Sequence, residues 1–157
     1  MEQALWRIEK ARYGDAPFSG TGALYVAGRW HPQGIRVAYA AETLSLALLE
    51  KLAGSPRAAL PTEQFVVVEA SVPAGLVLRV EDWVGLPDGW DAVPPPYRPE
   101  GQAVGARFVR EQAALVLSVP SAINPFERNF ILNPEHPEIG ALIVKRTGPF
   151  ALDRRLW

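Results

Sequence analysis

The sequence predicts a single α+β domain over residues 1–157, in which short mixed and antiparallel strands are combined with a few helices. The chain has 157 residues, 48% of them apolar, and this size suits one domain with a genuine core. Its 13 glycines and 15 prolines cut it into short segments, so long helices are excluded. The β-rich and helical segments follow one another without a repeat or a linker, which favours the α+β class.

The N-terminal segment predicts a short strand followed by a glycine-rich loop. The strand is Leu5-Trp6-Arg7-Ile8, and the loop covers residues 14–22, including Ser19-Gly20-Thr21-Gly22. This loop lacks the Lys and Ser/Thr ending of a phosphate-binding P-loop, and no long apolar strand precedes it. We therefore do not expect a P-loop nucleotide site here.

The next segment predicts a β-hairpin. Residues 28–30 lead through a turn at residues 31–34 into the β-rich run 35–40. Pairing of the two arms would place Arg29 and Tyr39 near each other across two strands.

Residues 44–53 predict a helix that begins and ends with clear signals. Thr43 is a plausible N-cap, and Gly54 followed by Pro56 ends the helix. Apolar side chains cover nearly every direction of the helical wheel, which predicts a buried helix. Glu50 consequently lies in an apolar neighbourhood.

The remaining chain predicts strands, one long irregular connection and one further helix. Four β-rich runs have strand length: residues 64–72, 76–80, 114–119 and 141–145. The stretch 81–101 has no useful period and should form an irregular connection over the surface or over a cleft. Residues 102–113 have helical spacing, and Ser121 follows the strand that Pro120 ends.

Composition and charge exclude several classes of function. The net charge is −1 and the charged fraction is 21%, so a direct nucleic-acid ligand is not expected and disorder is ruled out. The chain has no cysteine and only two histidines, which leaves no disulfide framework, thiolate chemistry or recognisable zinc site, so any metal site would have to use mainly oxygen ligands. No apolar run has the length of a membrane span, and the N-terminus does not resemble a signal peptide. We expect a soluble, cytoplasmic protein.

Four polar residues stand where chemistry could be carried out, and each also has a structural interpretation. Arg29 could be a surface cation that stacks on Trp30. Glu50 could reach solvent or pair with an arginine, although burial without a partner would raise its pKa, so a partner or a site is implied. Ser121 could be a turn residue that bonds its own backbone, and Tyr39 could be a core residue.

The two histidines do not suggest a hydrolase. A pair of Ser121 with His31 or His136 would need a nucleophile elbow, and the G-x-S-x-G pattern is absent. Both histidines lie in proline-containing turns, more than a hundred positions apart, with no acidic pattern that would complete a metal site.

Taken together, these residues lie in local strings that resemble the RES domain family, named for its Arg, Glu and Ser. The matching strings are Leu5-Trp6-Arg7-Ile8, Gly28-Arg29-Trp30 with Gly34, Val37-Ala38-Tyr39, Leu46-Ala47-Leu48-Leu49-Glu50, Val119-Pro120-Ser121-Ala122, and Asn129-Phe130-Ile131-Leu132-Asn133-Pro134 followed by His136-Pro137. They run in the family's order and cover almost the whole chain. His31 is a departure, since the family commonly has Asn after the Trp.

The resemblance implies a fold similar to that of ADP-ribosyltransferases, with small sheets that form a cleft for NAD. It also implies NAD consumption at the nicotinamide–ribose bond, by phosphorolysis or hydrolysis, with Arg29, Tyr39, Glu50 and Ser121 as site residues. A carboxylate such as Glu50 can stabilise the oxocarbenium-like state or hold the ribose 2′-hydroxyl. Arg29 would grip the pyrophosphate or an incoming phosphate, Tyr39 would stack on nicotinamide or ribose, and Ser121 would orient a ribose or phosphate oxygen.

We therefore expect a growth-arresting toxin that takes NAD as substrate, needs no further cofactor or metal, and uses inorganic phosphate or water as the acceptor. Its expected partner is a helix-turn-helix antitoxin of the Xre type that covers the cleft and makes the DNA contacts. Two alternatives remain: a protein ADP-ribosyltransferase that uses the same cleft, and a non-catalytic module that binds a nucleotide or a partner. A dehydrogenase is disfavoured, because the G-x-G-x-x-G fingerprint with its acidic residue is absent.

Overall fold

The protein, seen in a computed structural model that describes all 157 residues, forms one seven-stranded mixed sheet with two α-helices, which confirms the α+β class. The strands are β1 (Glu2–Lys10), β2 (Ala38–Ala41), β3 (Phe65–Pro73), β4 (Val77–Arg79), β5 (Val116–Pro120), β6 (Arg128–Leu132) and β7 (Ile143–Phe150). The helices are α1 (Leu44–Gly54) and α2 (Pro99–Glu111). Short 3₁₀ turns join several of these elements. None of the helices has the length and hydropathy of a membrane span.

The strand order in the sheet is β4-β5-β6-β2-β1-β3-β7. All neighbouring strands are antiparallel except β4 and β5, which are parallel. Strands β1 and β3 pair along their full length, from Glu2 opposite Pro73 to Lys10 opposite Phe65. Between β1 and β2, however, only Trp6 and Ala41 are in register, so the sheet opens at this place.

The core packs on both faces of the sheet. Because side chains alternate along a strand, Leu117, Val119 and Ile131 of β5 and β6 pack with Val104 and Phe108 of α2. Their neighbours along the chain face the opposite side: Val116, Phe130 and Leu132 pack there with Leu5 and Val68. A smaller cluster joins α1 to the far end of β1 through Leu46, Ala47 and Ile8.

Helix α2 lies unusually close to the segment that carries Arg29. A Cβ on Gly101 would lie 2.8 Å from the Arg29 carbonyl oxygen, and a Cβ on Gly105 would lie 1.6 Å from the Trp30 carbonyl oxygen. Only glycine permits this approach. The Gln102 side chain donates to the Gly28 carbonyl oxygen at 3.2 Å, so α2 fixes the backbone from which Arg29 projects.

The predicted hairpin at residues 28–40 is wrong. Gly28 and His31 form an isolated bridge, and the extended strand covers only Ala38–Ala41, which pairs with β6 over four residues. The turn at 28–31 is fixed by helix α2 and by its own bridge, Gly28 N to His31 O at 3.0 Å. Long-range contacts therefore replace the local pairing that turn composition had suggested.

Helix α1 begins as expected, but it is not buried on all sides. The Thr43 hydroxyl accepts from the Leu46 amide at 3.1 Å, as an N-cap does. Leu46 and Ala47 are buried, whereas Leu49 is 43% exposed. One side of α1 thus faces away from the core.

The other elements differ from expectation mainly in their bounds. Strand β1 is nine residues long rather than four, and α2 begins at Pro99, three residues before the predicted start. The predicted runs 64–72 and 76–80 are both strands, yet they lie in distant parts of the sheet as β3 and β4. Strand β6 was not expected at all. The last strand covers Ile143–Phe150, which is longer than the predicted 141–145.

Candidate active site

A cleft opens where β1 and β2 part, and α1 covers part of it. It has two lobes that share Tyr39, Glu50, Gly54 and Asn129 as lining residues. The first, here called the β1 lobe, has a volume of about 290 Å³ and is also lined by Trp6, Arg7 and Lys51. The second, the Arg29 lobe, has a volume of about 420 Å³ and is also lined by Arg29, Trp30, Asp91, Val93, Tyr97 and Ile123. Both lobes are close to the lower end of the range of small-molecule sites, ~300–1,000 Å³.

Glu50 lies between the two lobes, held by two side chains from other parts of the sheet. The Ser121 hydroxyl donates to Glu50 Oε1 at 3.2 Å, and Asn129 Nδ2 donates to Glu50 Oε2 at 3.1 Å. Burial raises the pKa of the Glu50 carboxyl, while these two hydrogen bonds and the charge of Arg29 act in the opposite direction. The carboxylate is therefore fixed in orientation and partly desolvated.

Ser121 lies behind Glu50 rather than on the cleft surface. It is fully buried, and its hydroxyl oxygen accepts from the backbone amides of Ile123 and Asn124 at 3.2 and 3.1 Å. With both amides donating to the oxygen, the hydroxyl proton is directed to Glu50. Ser121 thus joins the turn after β5 to the carboxylate on α1.

Asn129 belongs to the site, but the sequence did not identify it as a site residue. It stands in β6, the strand that was not expected, and it lines both lobes as well as bonding Glu50. The string Asn129-Phe130-Ile131-Leu132 has a β-rich pattern that could have indicated the strand. Two Asn-Pro turns flank the string, and turn composition of this kind is also typical of a loop.

Arg29 projects into the cleft from the turn held by α2. Its Nη1 donates to the carbonyl oxygens of Trp90 and Ala92, at 2.6 and 2.9 Å, and its guanidinium lies 5.7 Å from the centre of the Tyr97 ring. Nε and Nη2 have no hydrogen-bond partner within the chain. Arg29 therefore binds the irregular stretch 83–98 where it crosses the Arg29 lobe. Its Nε and Nη2 can still donate hydrogen bonds to an anion.

Tyr39 forms the wall between the lobes, and its hydroxyl is bonded on the protein side. The hydroxyl lies 2.6 Å from His31 Nδ1 and accepts from the Trp30 amide at 3.3 Å. Burial raises the pKa of the Tyr39 phenol, so the phenol stays neutral. The structure thus brings Arg29, Tyr39 and Glu50 to one cleft, with Ser121 directly behind Glu50.

The β1 lobe also contains two cationic side chains that the sequence did not single out. Arg7 Nη1 donates to the Tyr39 carbonyl oxygen at 2.5 Å, beside the place where Trp6 and Ala41 are the only residues in register between β1 and β2. Arg7 Nη2 also forms an ion pair with Glu9 at 2.5 Å. Lys51 forms no ion pair, and burial lowers the pKa of its ammonium group. The opening in the sheet is therefore stabilised by Arg7.

The second histidine takes no part in the cleft. His136 is buried in the turn after β6, where its Nδ1 accepts from the Glu138 amide at 3.1 Å. Ser121 bonds Glu50 and not a histidine, so the geometry contains no Ser-His pair.

The arrangement can stabilise a reaction that develops positive charge beside the carboxylate. A fixed carboxylate stabilises such charge, a free guanidinium edge binds phosphate, and aromatic rings offer stacking surfaces. The carboxylate at the junction of two lobes would allow the parts of a substrate on either side of a bond to lie in different lobes.

Known proteins match the sequence of this chain along nearly its whole length. The RES domain family matches residues 4–153. The protein is 37% identical over 161 residues to Toxin Res of Pseudomonas putida, covering 98% of this chain and 99% of that protein. It is 31% identical over 163 residues to the Prs ADP-ribosylating toxin of Sphingobium sp., covering 99% and 98%.

Among solved structures, the M. tuberculosis MbcT–MbcA toxin–antitoxin complex contains a chain with a similar fold. The TM-score is 0.75 at 17% identity, with 96% of this chain and 85% of that chain covered. The family match and the similarity to the curated toxins extend over nearly the whole chain, and the chain belongs to the RES domain family.

Proposed function

We propose that the protein is the toxin of a toxin–antitoxin pair, acting in the cytoplasm, and that it consumes NAD by breaking the bond between nicotinamide and ribose. The observation that carries this proposal is Glu50, a half-buried carboxylate fixed by Ser121 and Asn129 where the two lobes meet. The names of the relatives, Toxin Res and Prs ADP-ribosylating toxin, support the toxin role and the ADP-ribose chemistry.

In the proposed reaction the electron pair of the bond between ribose C1′ and the nicotinamide nitrogen leaves with nicotinamide, which becomes neutral. Glu50 stabilises the positive charge that develops on the ribose, and one such contact contributes ~10²–10³ in rate. An acceptor oxygen then forms the new bond to C1′, and any proton that this oxygen carries passes to bulk water. Water gives ADP-ribose, and inorganic phosphate gives its 1-phosphate.

The other residues bind and orient the substrate. Arg29 offers Nε and Nη2 to phosphate oxygens, and Tyr39 presents its ring to the flat parts of the ligand. Ser121 acts through Glu50, because its buried hydroxyl has no path to a ligand.

A second candidate is transfer of ADP-ribose to a protein. The name of the Sphingobium relative favours it, and the same cleft and carboxylate would serve. In that case a side chain of the acceptor protein takes the place of water or phosphate.

One experiment separates these outcomes. The purified protein is incubated with NAD, with and without inorganic phosphate, and the products are resolved by mass, while labelled NAD is used to find modified proteins in a cell extract. Free nicotinamide with ADP-ribose or its 1-phosphate supports NAD consumption, and label on protein supports transfer. If no nicotinamide is released in any arm, both candidates are wrong.

We propose further that the partner is a helix-turn-helix antitoxin that covers the cleft. The fold neighbour was solved as a toxin–antitoxin complex, and the charge of −1 gives this chain no strong attraction to DNA of its own. Induction of the protein alone should lower cellular NAD and stop growth. Co-expression with the antitoxin should restore both and yield a complex that binds promoter DNA more tightly than the toxin does.

A further inference from the structure

His31 makes two hydrogen bonds that together determine where its proton lies. Nε2 lies 2.8 Å from the Val26 carbonyl oxygen, and Nδ1 lies 2.6 Å from the Tyr39 hydroxyl oxygen. A carbonyl oxygen can only accept, so Nε2 carries the proton. In the neutral imidazole Nδ1 is then an acceptor, and Tyr39 must donate its hydroxyl proton to it.

The Tyr39 hydroxyl is fully hydrogen-bonded within the protein. It donates to His31 and accepts from the Trp30 amide, so both its proton and one lone pair are used by the protein. Gly28 makes room for the pair, since a Cβ there would lie 2.7 Å from His31 Cε1 and 3.1 Å from the Tyr39 oxygen.

We propose that neutral His31, protonated on Nε2, is the positioning residue that holds the Tyr39 ring as the wall between the two lobes. This inference rests on the proposed function only for its kinetic readout. Tyr39 then meets a ligand with its ring, and its hydroxyl neither gives nor takes a proton in the reaction.

Protonation of His31 would break this arrangement. The imidazolium donates from both nitrogens, so the Tyr39 hydroxyl would lose its only acceptor and its proton would have no partner in a buried place. Burial lowers the pKa of His31, which favours the neutral form.

No other titratable group takes over this role. Arg29 of the same turn and Tyr97 of the stretch over the cleft act electrostatically on Tyr39, and helix α2 presents the backbone at Gly105 towards His31. No carboxylate bonds either ring nitrogen of His31.

Two variants separate the two hydrogen bonds of His31. In His31→Asn the amide oxygen comes close to the position of Nδ1, so the acceptor for Tyr39 is retained and the bond to Val26 is lost. In His31→Gln the longer side chain reaches the position of Nε2, so the bond to Val26 is retained and the acceptor for Tyr39 is lost. We expect His31→Asn to keep KM for NAD within about threefold, and His31→Gln to raise it about tenfold with little change in kcat.

The pH profile of KM and the NMR signals of His31 and Tyr39 distinguish a positioning role from a merely structural one, which would leave both unchanged. The wild-type KM should rise as the pH falls through the titration of His31, below the ordinary histidine range, and His31→Asn should lack this rise. Nitrogen-15 NMR of the free protein should show His31 protonated on Nε2, with His136→Asn used to assign the signals. The Tyr39 ring signals should move in His31→Gln and not in His31→Asn.

A proton on Nδ1 of His31, or equal effects of the Asn and Gln variants, would overturn the proposal. The NMR readouts use the protein without NAD, so they decide the role of His31 even if NAD is not cleaved.

Discussion

Asn129→Ala tests how Glu50 is held. The change removes the hydrogen bond from Nδ2 to Glu50 Oε2 at 3.1 Å and leaves the one from Ser121 in place. A hydrogen bond to a charged group contributes ~1.5–3 kcal/mol, which corresponds to a rate loss of about 13- to 160-fold. We expect this loss mainly in kcat, because the bond orients the carboxylate that acts in the transition state.

The pH profile of kcat shows in which direction Asn129→Ala should shift the pKa of Glu50. Glu50 must be ionised to stabilise positive charge, so kcat falls as the pH drops through its pKa, which burial places above the ordinary carboxyl range. Asn129→Ala removes a bond that favours the ionised form. The acid limb of the kcat profile should therefore move to higher pH.

The assay is nicotinamide release measured from pH 5 to 9 at saturating NAD. Asn133→Ala is a matched control, since Asn133 Oδ1 accepts from the Glu135 amide at 3.0 Å and neither residue lines the cleft. The control should keep kcat within about threefold. A loss below threefold in Asn129→Ala together with an unmoved acid limb would refute the role given to Asn129.

Three further substitutions test phosphate binding by Arg29, the packing of α2 and the N-cap of α1. Arg29→Lys keeps the charge but loses the planar donor edge, so the Kd for NAD, measured by calorimetry in the Glu50→Gln background where cleavage is slow, should rise about tenfold, and an unchanged Kd would remove Arg29 from the phosphate site. Gly105→Ala forces a Cβ to 1.6 Å from the Trp30 carbonyl oxygen, and thermal unfolding should show a destabilisation of at least ~2 kcal/mol. Gly140→Ala, with nothing within 4 Å, is its control, and equal Tm values for the two would contradict the packing of α2. Thr43→Ala removes the N-cap of α1 together with the hydrogen bond that the Thr43 hydroxyl donates to Glu127, and should lower the free energy of unfolding by at least ~1 kcal/mol; no change would show that neither bond contributes.

Local signals in the sequence were sufficient for the helices. The Thr43 cap and the apolar run after it predict α1, and the spacing of Val104, Phe108 and Val109 predicts α2. Both signals lie within a few turns of chain, which is why they can be read without knowing the rest of the fold.

The turn at residues 28–31 and strand β6 could not be read in this way, because their conformations depend on distant partners. The turn is fixed by the close approach of α2, which Gly101 and Gly105 permit, and β6 is defined by pairing with β2 and β5. Missing β6 meant missing Asn129.

For the same reason, only part of the site could be predicted from the sequence. An apolar neighbourhood indicated that Glu50 needs a partner or a site, and the structure supplies Ser121, 71 positions away, and Asn129, 79 positions away. Residue types and strings could suggest Arg29, Tyr39, Glu50 and Ser121 as a group. They could not show that Ser121 stands behind the carboxylate.

The most direct test of the central claim is nicotinamide release from NAD by the wild-type protein and by Glu50→Gln, each with and without inorganic phosphate. The glutamine keeps the shape of the side chain and an oxygen that accepts from Ser121, but its Nε2 takes the place of the oxygen that accepts from Asn129, and it has no negative charge to stabilise the ribose. We predict rapid release by the wild-type protein and a loss of ~10²–10³ in rate for Glu50→Gln, with the fold retained by circular dichroism. Equal rates for the two proteins, or no release by the wild-type protein, would contradict the account.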